Sequence, residues 1–556
     1  MRRISARLLC CLLGALIGLP EAAPAQTKPR LNGHAVVLDA RGHLLSWVSN
    51  RERAYDHVVS LGWDFILHKV PIESNGLRTY LTHSTFDPAT LRGTDWPHNP
   101  AGLYAMFVDS ALAYYAYSGD GAVLERVREM LDYQLAHGTT PAAWDWASVP
   151  YASSDPGSLE YFGADDARYC RQMQNPEHCG RGDGHYALEP DKIAELGLGY
   201  LKFFELTGEP KYRDAALACA GALASHVRPG DLTHSPWPFR VFAHTNLGRE
   251  EYTGQGIGAI KLFDELARTS LPAPNAYVRA RKLAWDWLMK FPVKNNVWSA
   301  YFEDIPVDTN LENWNQYTAM ETARYLLQHP ENDPEWPRHS SGLIAWVEKT
   351  FAVDVPASEH YRWVQQEPVQ YGQQWGANTI SEQTVDDMDK MGSHTSRYAS
   401  VCALYYEKTG EEAFKEKAFR SFNWATYMAH EDGLITEAMA EDNFWYSDGY
   451  ADYIRHFLAG MGSVPEWAPP RENHLLRSSS VVQKIAYSAS EVRYTTFDAE
   501  ATEVLRLAFS PARVTVGDAA LAPRPDLSKP GWTFDATKGV LRVRRQRSRD
   551  VVISGQ

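Results

Sequence analysis

The sequence predicts a mainly α-helical protein, built as an (α/α)6 toroid of six helical hairpins and followed by a small antiparallel β domain. Two observations support this fold. A helix-turn-helix pattern recurs between Asn50 and Trp467, and from about Pro470 short segments alternate apolar with polar residues. The chain has 556 residues and is 44% hydrophobic, which allows a large buried core.

The first 25 residues carry the pattern of a secretory signal peptide. Basic residues precede a short apolar run, and Ala23-Pro24-Ala25 forms a small-x-small cleavage site before Gln26. We therefore expect a secreted or periplasmic protein, with a signal peptide over 1–25, an N-terminal extension over 26–48, a toroid catalytic domain over 49–468 and a β domain over 469–556. No later run has the length and apolar character of a bilayer span, so we expect none.

The hairpins share a turn of the form Ser/Thr-Gly-Asp/Glu, or a variant of it, between two helical segments, the second of which is amphipathic. Three copies are clear: LAYYAYSGDGAVLERVREML, YLKFFELTGEPKYRDAALACAGAL and ALYYEKTGEEAFKEKAFRSFNWA. Two weaker copies begin at Gly258 and Thr318, and one helix remains at each end, from Asn50 and from Ser447. Pairing the two end helices would close a ring of six hairpins. An open helical solenoid is the alternative, and it predicts neither long loops nor a contrast between inner and outer helices.

The two helices of a hairpin differ in character. The first is apolar nearly all round, as in AELGLGYLKFFEL, which suits an inner ring packed on every side. The second carries charge on one face, as in VLERVREMLDYQL, which suits an outer ring facing water. Beyond Pro470, segments such as EVRYTTFD and GVLRVRRQ are separated by Gly, Asp and Pro turns and predict strands.

Charge and cysteine usage narrow the possible partners. The net charge of −14 argues against nucleic acid as a partner. Cys219 and Cys402 lie in apolar helical segments, whereas Cys170 and Cys179 share a polar loop. In an oxidising compartment this predicts a disulfide between Cys170 and Cys179. A metal pair is the weaker alternative, since no second ligand pair follows at zinc spacing.

Loop lengths predict which end of the toroid is functional. The connections between hairpins are long, including residues 139–187, 228–250, 291–313 and 353–393, and they lead into the starts of inner helices. These starts mix carboxylates, histidine, arginine and amides with aromatic residues, so we expect them to surround one cavity. Helix capping is the structural alternative for single residues such as Asn313.

The same loops are rich in tryptophan. Tryptophan rings stack on the C–H faces of sugars and offer one N–H donor, so this composition predicts an oligo- or polysaccharide ligand. Packing between helices is the alternative explanation for about half of them. The residues that we expect to bind substrate are Trp96, His98, Asn99, His185, Trp237, Arg249, Tyr252, Trp314, Asn315, Gln316, Trp375, Arg397 and Trp445.

In its architecture the region from Asn50 to Trp467 resembles the six-hairpin glycosidase superfamily, whose (α/α)6 toroids act on oligo- and polysaccharides and often carry an appended β domain. The resemblance rests on the hairpin repeat and the helix count. It implies sugar chemistry and transfers no catalytic residue.

Two reaction classes occur on this architecture. Glycoside hydrolysis, which we favour, needs two carboxylates beside the scissile bond, one protonated and one ionised. Lyase or epimerase chemistry on a uronic acid uses His, Tyr, Arg and Asn in resembling toroids, and the i, i+3, i+4 spacing of His394, Arg397 and Tyr398 predicts a shared helix face. The predicted catalytic residues for both classes are Asp95, Asp183, His394, Tyr398 and Asp448.

A non-catalytic sugar-binding protein is the third hypothesis, and it predicts aromatic stacking without a coupled acid pair. We expect no cofactor and no catalytic metal, because the sequence has no HExxH helix, GxSxG elbow or P-loop. The acidic run TVDDMDK could hold a structural calcium ion.

Overall fold

A computed structural model of the chain describes residues 29–94, 100–151, 186–269, 271, 274–302, 305, 310–353, 372–384, 390–437 and 444–555. Twelve longer α-helices lie in these ranges. They are α1 (Ala54–His68), α2 (Pro100–Ser118), α3 (Ala122–His137), α4 (Pro190–Thr207), α5 (Pro210–His226), α6 (Ile257–Arg268), α7 (Asn275–Lys290), α8 (Gln316–Gln328), α9 (Trp336–Phe351), α10 (Gly392–Thr409), α11 (Glu412–Ala425) and α12 (Tyr453–Ser463). A four-residue helix, Pro292–Asn295, follows α7, and a π-helix, Tyr446–Asp452, leads into α12.

The helices pair as the sequence predicts. Helices α2 and α3, α4 and α5, α6 and α7, α8 and α9, and α10 and α11 pack as consecutive hairpins, and α1 packs on α12. The first helices of the pairs also contact one another in chain order, and α12 contacts α2, so these contacts run in a closed cycle. The inner helices are buried on all sides near their starts: every residue from Gly392 to Tyr405 is buried.

The hairpin turn and the close packing of its two helices both depend on glycine. Gly208 ends α4 with φ of 74°, a left-handed conformation that glycine adopts without strain. Inside α4, a Cβ atom on Gly197 would stand 2.8 Å from Cβ of Cys219 on α5. The small residue at this position therefore lets the two helices approach closely.

Short strands connect the helices. They are β1 (Arg30–Leu31), β2 (His34–Ala35), β3 (Val37–Leu38), β4 (Leu44–Leu45), β5 (Thr85–Phe86), β6 (Ala187–Leu188), β7 (Arg240–Phe242), β8 (Leu247–Glu250) and β9 (Phe444–Trp445). Strands β6, β7 and β8 form one antiparallel sheet, and β5 pairs with β9. The N-terminal strands lie against the end of α11, where the side chain of Asn32 donates to the carbonyl of Tyr427 over 3.0 Å.

The C-terminal residues form two antiparallel sheets with their own apolar core, which includes Leu475, Val492, Val514, Leu541 and Ile553. The strands are β10 (His474–Ser478), β11 (Val482–Tyr487), β12 (Glu491–Thr496), β13 (Ala501–Arg506), β14 (Pro511–Val516), β15 (Ala519–Leu521), β16 (Gly531–Asp535), β17 (Val540–Arg545) and β18 (Asp550–Gly555). One sheet has the order β10-β13-β17-β16 and the other β11-β12-β18-β14-β15.

These sheets contact the helices through β10 and β11. The hydroxyl of Tyr487 donates to the carbonyl of Ala116 on α2 and accepts from the backbone N–H of Leu475. The amide of Gln483 donates to the carbonyl of Glu205 on α4 over 2.7 Å. Among the described helices, none combines the length and the apolar character needed to cross a membrane.

Candidate functional site

Buried polar side chains from several inner-helix starts meet in the helical region. Lys192 of α4 lies with its Nζ 3.4 Å above the ring of Tyr301, and this ring stacks on Tyr317 of α8 at 4.2 Å. The guanidinium of Arg397 on α10 lies 3.9 Å above the other ring, that of Tyr317. Contacts therefore link the starts of α4, α8 and α10, the neighbourhood that the loop lengths indicate.

Glu437 lies against the start of α10 and is hydrogen-bonded to it. The backbone N–H of Gly392 donates to the carbonyl of Glu437 over 2.9 Å, and Ser393 Oγ donates to Glu437 Oε2 over 2.8 Å. Glu437 is fully buried, and its Oε1 makes no hydrogen bond within the part of the chain that the structure describes. Because Oε2 already accepts from Ser393, Oε1 is the oxygen left to carry a proton.

The environment of Glu437 favours the protonated form of its carboxyl group. Burial raises the pKa of Glu437 well above its usual range, and the neighbouring carboxylate of Asp448 raises it further. The hydrogen bond from Ser393 acts in the opposite direction and does not reverse the shift. A neutral carboxyl group beside a second acid is the arrangement that general acid catalysis requires.

Asp448 lies in the π-helix Tyr446–Asp452 and is half-buried. Ser447 Oγ donates to Asp448 Oδ2 over 3.0 Å. The backbone beside it approaches Glu437 closely, because a Cβ atom on Gly449 would stand 3.6 Å from Glu437 Oε1. π-helical turns are rare and are frequent at functional sites. The predicted catalytic residue Asp448 thus has a carboxyl neighbour that the sequence interpretation missed.

The charge of Arg397 is neutralised by carboxylates inside the protein. Its guanidinium is ion-paired with Asp452, both side chains are fully buried, and Nε lies 3.6 Å from Glu321 Oε1. Burial alone would raise the pKa of Asp452, but Arg397 and Arg455 lower it well below its usual range. Arg397 is one of the residues predicted to bind the sugar, and in the structure its guanidinium lies against two protein carboxylates.

His394 lies beside this ion pair. Its Nδ1 accepts from the amide of Gln316 and lies 3.4 Å from Arg397 Nη1. Both partners are donors, which leaves the imidazole proton on Nε2, and Nε2 makes no hydrogen bond within the described residues. Burial lowers the pKa of His394 well below its ordinary value, and the charge of Arg397 lowers it further, so the ring is neutral near pH 7.

Tyr398 connects α10 to the outer helix α9. Its hydroxyl donates to Glu348 Oε1 on the outer helix α9 over 2.6 Å and accepts from Asn378 over 2.8 Å. His394, Arg397 and Tyr398 lie within about 100° around the axis of α10, with His394 between the other two. The hydroxyl of Tyr398 joins the two helix layers, whereas Arg397 and His394 lie against each other.

Replacing Tyr398 with phenylalanine is expected to destabilise the fold by about 1–3 kcal/mol, because the buried side chain loses its hydrogen bonds to the half-buried Glu348 and Asn378. We expect kcat to be retained, and urea unfolding beside a rate assay measures both. Tyr406→Phe is the matched control, because that hydroxyl on the same helix makes no hydrogen bond within the described chain. A large loss of kcat with unchanged stability in Tyr398→Phe would contradict the assignment.

Several predicted sugar-binding residues are used in packing and capping. Trp237 is buried and donates from Nε1 to the carbonyl of Leu223 over 2.8 Å. Tyr252 is buried and donates to the carbonyl of Val297 over 2.9 Å. The side chain of Asn315 caps α8 by accepting from the N–H of Thr318 over 3.0 Å. Trp375 lies nearly buried in a 3₁₀ turn, Gln373–Trp375.

The remaining predicted residues have other positions. Trp314 is 42% exposed and its ring lies 6.3 Å from that of Trp346, so its face is accessible. Arg249 in β8 and Trp445 in β9 are half-buried. The free thiols of Cys219 and Cys402 are buried. The predicted residues that lie outside the described part of the chain are Asp95, Trp96, His98, Asn99, Asp183, His185, Cys170, Cys179 and the acids of TVDDMDK.

A second, half-buried acid in the helical region also has a raised pKa. Glu195 on α4 accepts from the amide of Gln255 over 2.8 Å, and burial raises the pKa of Glu195 to about 7. Nearby, Arg240 of β7 binds Glu250 of β8 over 2.5 Å and lies 3.7 Å from Glu189. These ion pairs neutralise buried charge where the sheet β6-β7-β8 meets the start of α4.

The chain matches no protein-family model, and no curated protein matches its sequence. Similar solved structures include a sugar epimerase from a ruminal bacterium, with 11% identity, 74% of this chain and 97% of that chain covered, and a TM-score of 0.49. A D-mannose isomerase has 12% identity, coverage of 74% and 96%, and a TM-score of 0.48. A family 76 glycoside hydrolase from a bovine Bacteroides thetaiotaomicron strain has 11% identity, coverage of 75% and 79%, and a TM-score of 0.47. No residue role is transferred from these proteins.

Proposed function

We propose that this protein is a carbohydrate-active enzyme, a glycoside hydrolase in which Glu437 is the general acid and Asp448 is the ionised partner. The observation that carries the proposal is the pair itself: a fully buried carboxyl group beside a half-buried one, at the start of inner helix α10 and in the π-helix before α12. One protonated and one ionised carboxyl group are the minimum for glycosidic bond cleavage.

The expected chemistry follows from the two environments. Glu437 Oε1 would give its proton to the glycosidic oxygen as the bond to the anomeric carbon breaks. Asp448 would stabilise the developing positive charge on the sugar ring, and would either attack that carbon or remove a proton from an attacking water. Ser393, which donates to the other oxygen of Glu437, holds the acid in place.

We also infer that the twelve helices form an (α/α)6 toroid over 49–468 with a β domain over 469–556. The closed cycle of contacts among α2, α4, α6, α8, α10 and α12 supports this. In a toroid of this kind the starts of the inner helices would open on one side, and Glu437 contacts the start of α10 while Asp448 precedes α12. The leader over 1–25 supports export, and a saccharide is the proposed substrate.

Product analysis tests the reaction class. We expect incubation with a panel of neutral oligosaccharides and uronate polymers to release reducing ends from at least one member, without an unsaturated, ultraviolet-absorbing product. Unsaturated product from a uronate polymer would contradict hydrolysis and support a lyase. Saturable sugar binding with no product from any member would support a non-catalytic binding protein.

The neutral imidazole of His394 favours a second candidate, an epimerase or lyase that moves a proton at a sugar carbon. A buried, uncharged ring with Nε2 unpaired within the described residues is suited to proton transfer. Reaction in deuterium oxide separates the two candidates. Deuterium on a sugar carbon of the product, without new reducing ends, would support the epimerase and contradict the hydrolase.

A further inference from the structure

Three side chains able to bind a metal ion meet where the helices join the C-terminal sheets. Asp56 lies on α1, and Glu472 and His474 lie just before and at the start of β10. One ligand atom from each lies within 4.8 Å of the other two. Asp56 is 3% exposed, His474 is 7% exposed and Glu472 is half-buried, so the group is largely closed off from solvent.

The hydrogen bond at one nitrogen of His474 fixes the state of the other. Nδ1 lies 2.9 Å from the backbone carbonyl of Tyr117. A carbonyl oxygen only accepts, so Nδ1 carries the proton. In a neutral imidazole with its proton on Nδ1, Nε2 presents a lone pair. That Nε2 lies 3.4 Å from Glu472 Oε2 and makes no hydrogen bond within the described part of the chain.

A lone pair that faces a carboxylate oxygen is repelled by it, unless a proton or a metal ion lies between them. Tyr117 holds two members of the group in this arrangement. Its hydroxyl donates to Asp56 Oδ1 over 2.8 Å, and its ring stacks on the imidazole of His474 at 3.9 Å with the planes 5° apart. A backbone carbonyl on the far ring nitrogen and a hydrogen bond to a carboxylate are the supports that metal ligands usually have.

We propose that Asp56, Glu472 and His474 bind a divalent transition-metal ion, with Zn²⁺ as the representative. Two carboxylate oxygens and one imidazole nitrogen form a ligand set that suits zinc and its first-row neighbours, whereas magnesium and calcium prefer oxygen ligands alone. The ion would tie α1 to β10 and so fasten the C-terminal sheets to the helices. This site is independent of the proposed catalytic pair.

Arg53 is the competing cation at this position. Its guanidinium donates to Asp56 Oδ2 over 2.6 Å and pairs with Glu472, and its side chain is 43% exposed. An exposed arginine can turn into solvent when a divalent ion replaces it between the carboxylates. We therefore expect Arg53→Met to bind Zn²⁺ more tightly than the unaltered chain.

The test is titration of the full, chelator-treated chain with Zn²⁺ alone, followed by calorimetry and thermal unfolding. We expect one tight site per chain, a raised melting temperature on binding, and about 10-fold or greater loss of affinity in Glu472→Gln and His474→Gln. His57→Gln is the matched control, because His57 pairs with Glu431 on the surface at 3.2 Å without a third ligand among the described residues. We expect this variant to bind Zn²⁺ as the unaltered chain does.

Cobalt provides a second readout that does not depend on stability. We expect Co²⁺ bound to the unaltered chain to give a visible absorption band that is lost in His474→Gln. Equal Zn²⁺ affinity in the unaltered chain, Glu472→Gln and His474→Gln would overturn the proposal, as would the absence of a tight site in all of them. If His474→Gln does not fold, Glu472→Gln alone decides, because that side chain is half-buried at the edge of the group.

Discussion

Substitution of Glu437 by glutamine is expected to lower kcat on an oligosaccharide by about 10²- to 10⁴-fold, the usual contribution of a positioned general acid. Glutamine keeps the size of the side chain and the acceptor for Ser393 Oγ, and the backbone contact with Gly392 is unchanged. The only function removed is the proton on Oε1. Initial rates on the substrate found by product analysis measure the effect.

Substrates with different leaving groups test whether Glu437→Gln has lost proton donation. An aryl glycoside with a strongly acidic phenol needs little protonation as its bond breaks, so Glu437→Gln should lose far less activity on it than on the oligosaccharide. Asp448→Asn should lose activity on both substrates, because the charge or the attacking group is missing in either case. Equal losses of Glu437→Gln on the two substrates would contradict the assignment of Glu437 as the acid.

The pH profile provides a further check on Glu437. Its pKa is raised, so the unaltered enzyme should lose activity on the alkaline side as pH rises through that value and the acid ionises. The aryl glycoside reaction of Glu437→Gln should lack this alkaline limb. An unchanged alkaline limb in the variant would mean that another group supplies the proton.

Helical hairpins could be predicted from the sequence because their signals are local. The Ser/Thr-Gly-Asp/Glu turn places a left-handed glycine such as Gly208 after the first helix, and the apolar pattern on each side has the helical period. The alternating segments after Pro470 likewise predicted the strands that the structure contains. The order of strands in the two sheets could not be predicted, because it depends on long-range pairing.

The candidate site could be predicted only in part. His394 and Asp448 follow from their positions at inner-helix starts, but Glu437 lies in the connection after α11, in an ordinary run of apolar and small residues. Its pKa shift arises from burial and from Asp448, which are properties of the folded chain. Trp237 and Tyr252, which the sequence predicted to bind sugar, are buried and donate to backbone carbonyls inside the fold. Their burial could not be predicted, because it too is a property of the folded chain.

The second large effect is expected at Asp452. Substitution of Asp452 by alanine should lower the free energy of unfolding by about 3–5 kcal/mol, the range for removing one partner of a buried ion pair. The change leaves Arg397 with the more distant Glu321 as its acidic neighbour among the described contacts, and Arg455 also loses a carboxylate. Urea unfolding followed by tryptophan fluorescence measures the loss.

Two comparisons separate a buried-pair effect from a general effect of removing charge. Asp286→Ala is the matched control, because Asp286 pairs with Lys282 on the surface, where the side chains are 54% and 72% exposed, and should cost less than about 1 kcal/mol. The double variant Arg397→Met with Asp452→Leu should recover part of the loss, because it replaces the buried charges with apolar groups. Strictly additive losses in the double variant would contradict an energetic link between Arg397 and Asp452.

The Arg397–Asp452 pair also makes the free energy of unfolding depend on pH in acid. The pKa of Asp452 in the folded chain lies well below the unfolded value, so its contribution is present above about pH 4 and is lost as pH falls toward the folded pKa. As the pH falls below about 4, the free energy of unfolding should therefore decrease more in the unaltered chain than in Asp452→Ala. Because Arg397 lies against His394 as well as Asp452, the ion pair also orients the neutral imidazole. A stable Asp452→Ala variant with unchanged acid sensitivity would mean that another carboxylate neutralises the Arg397 guanidinium.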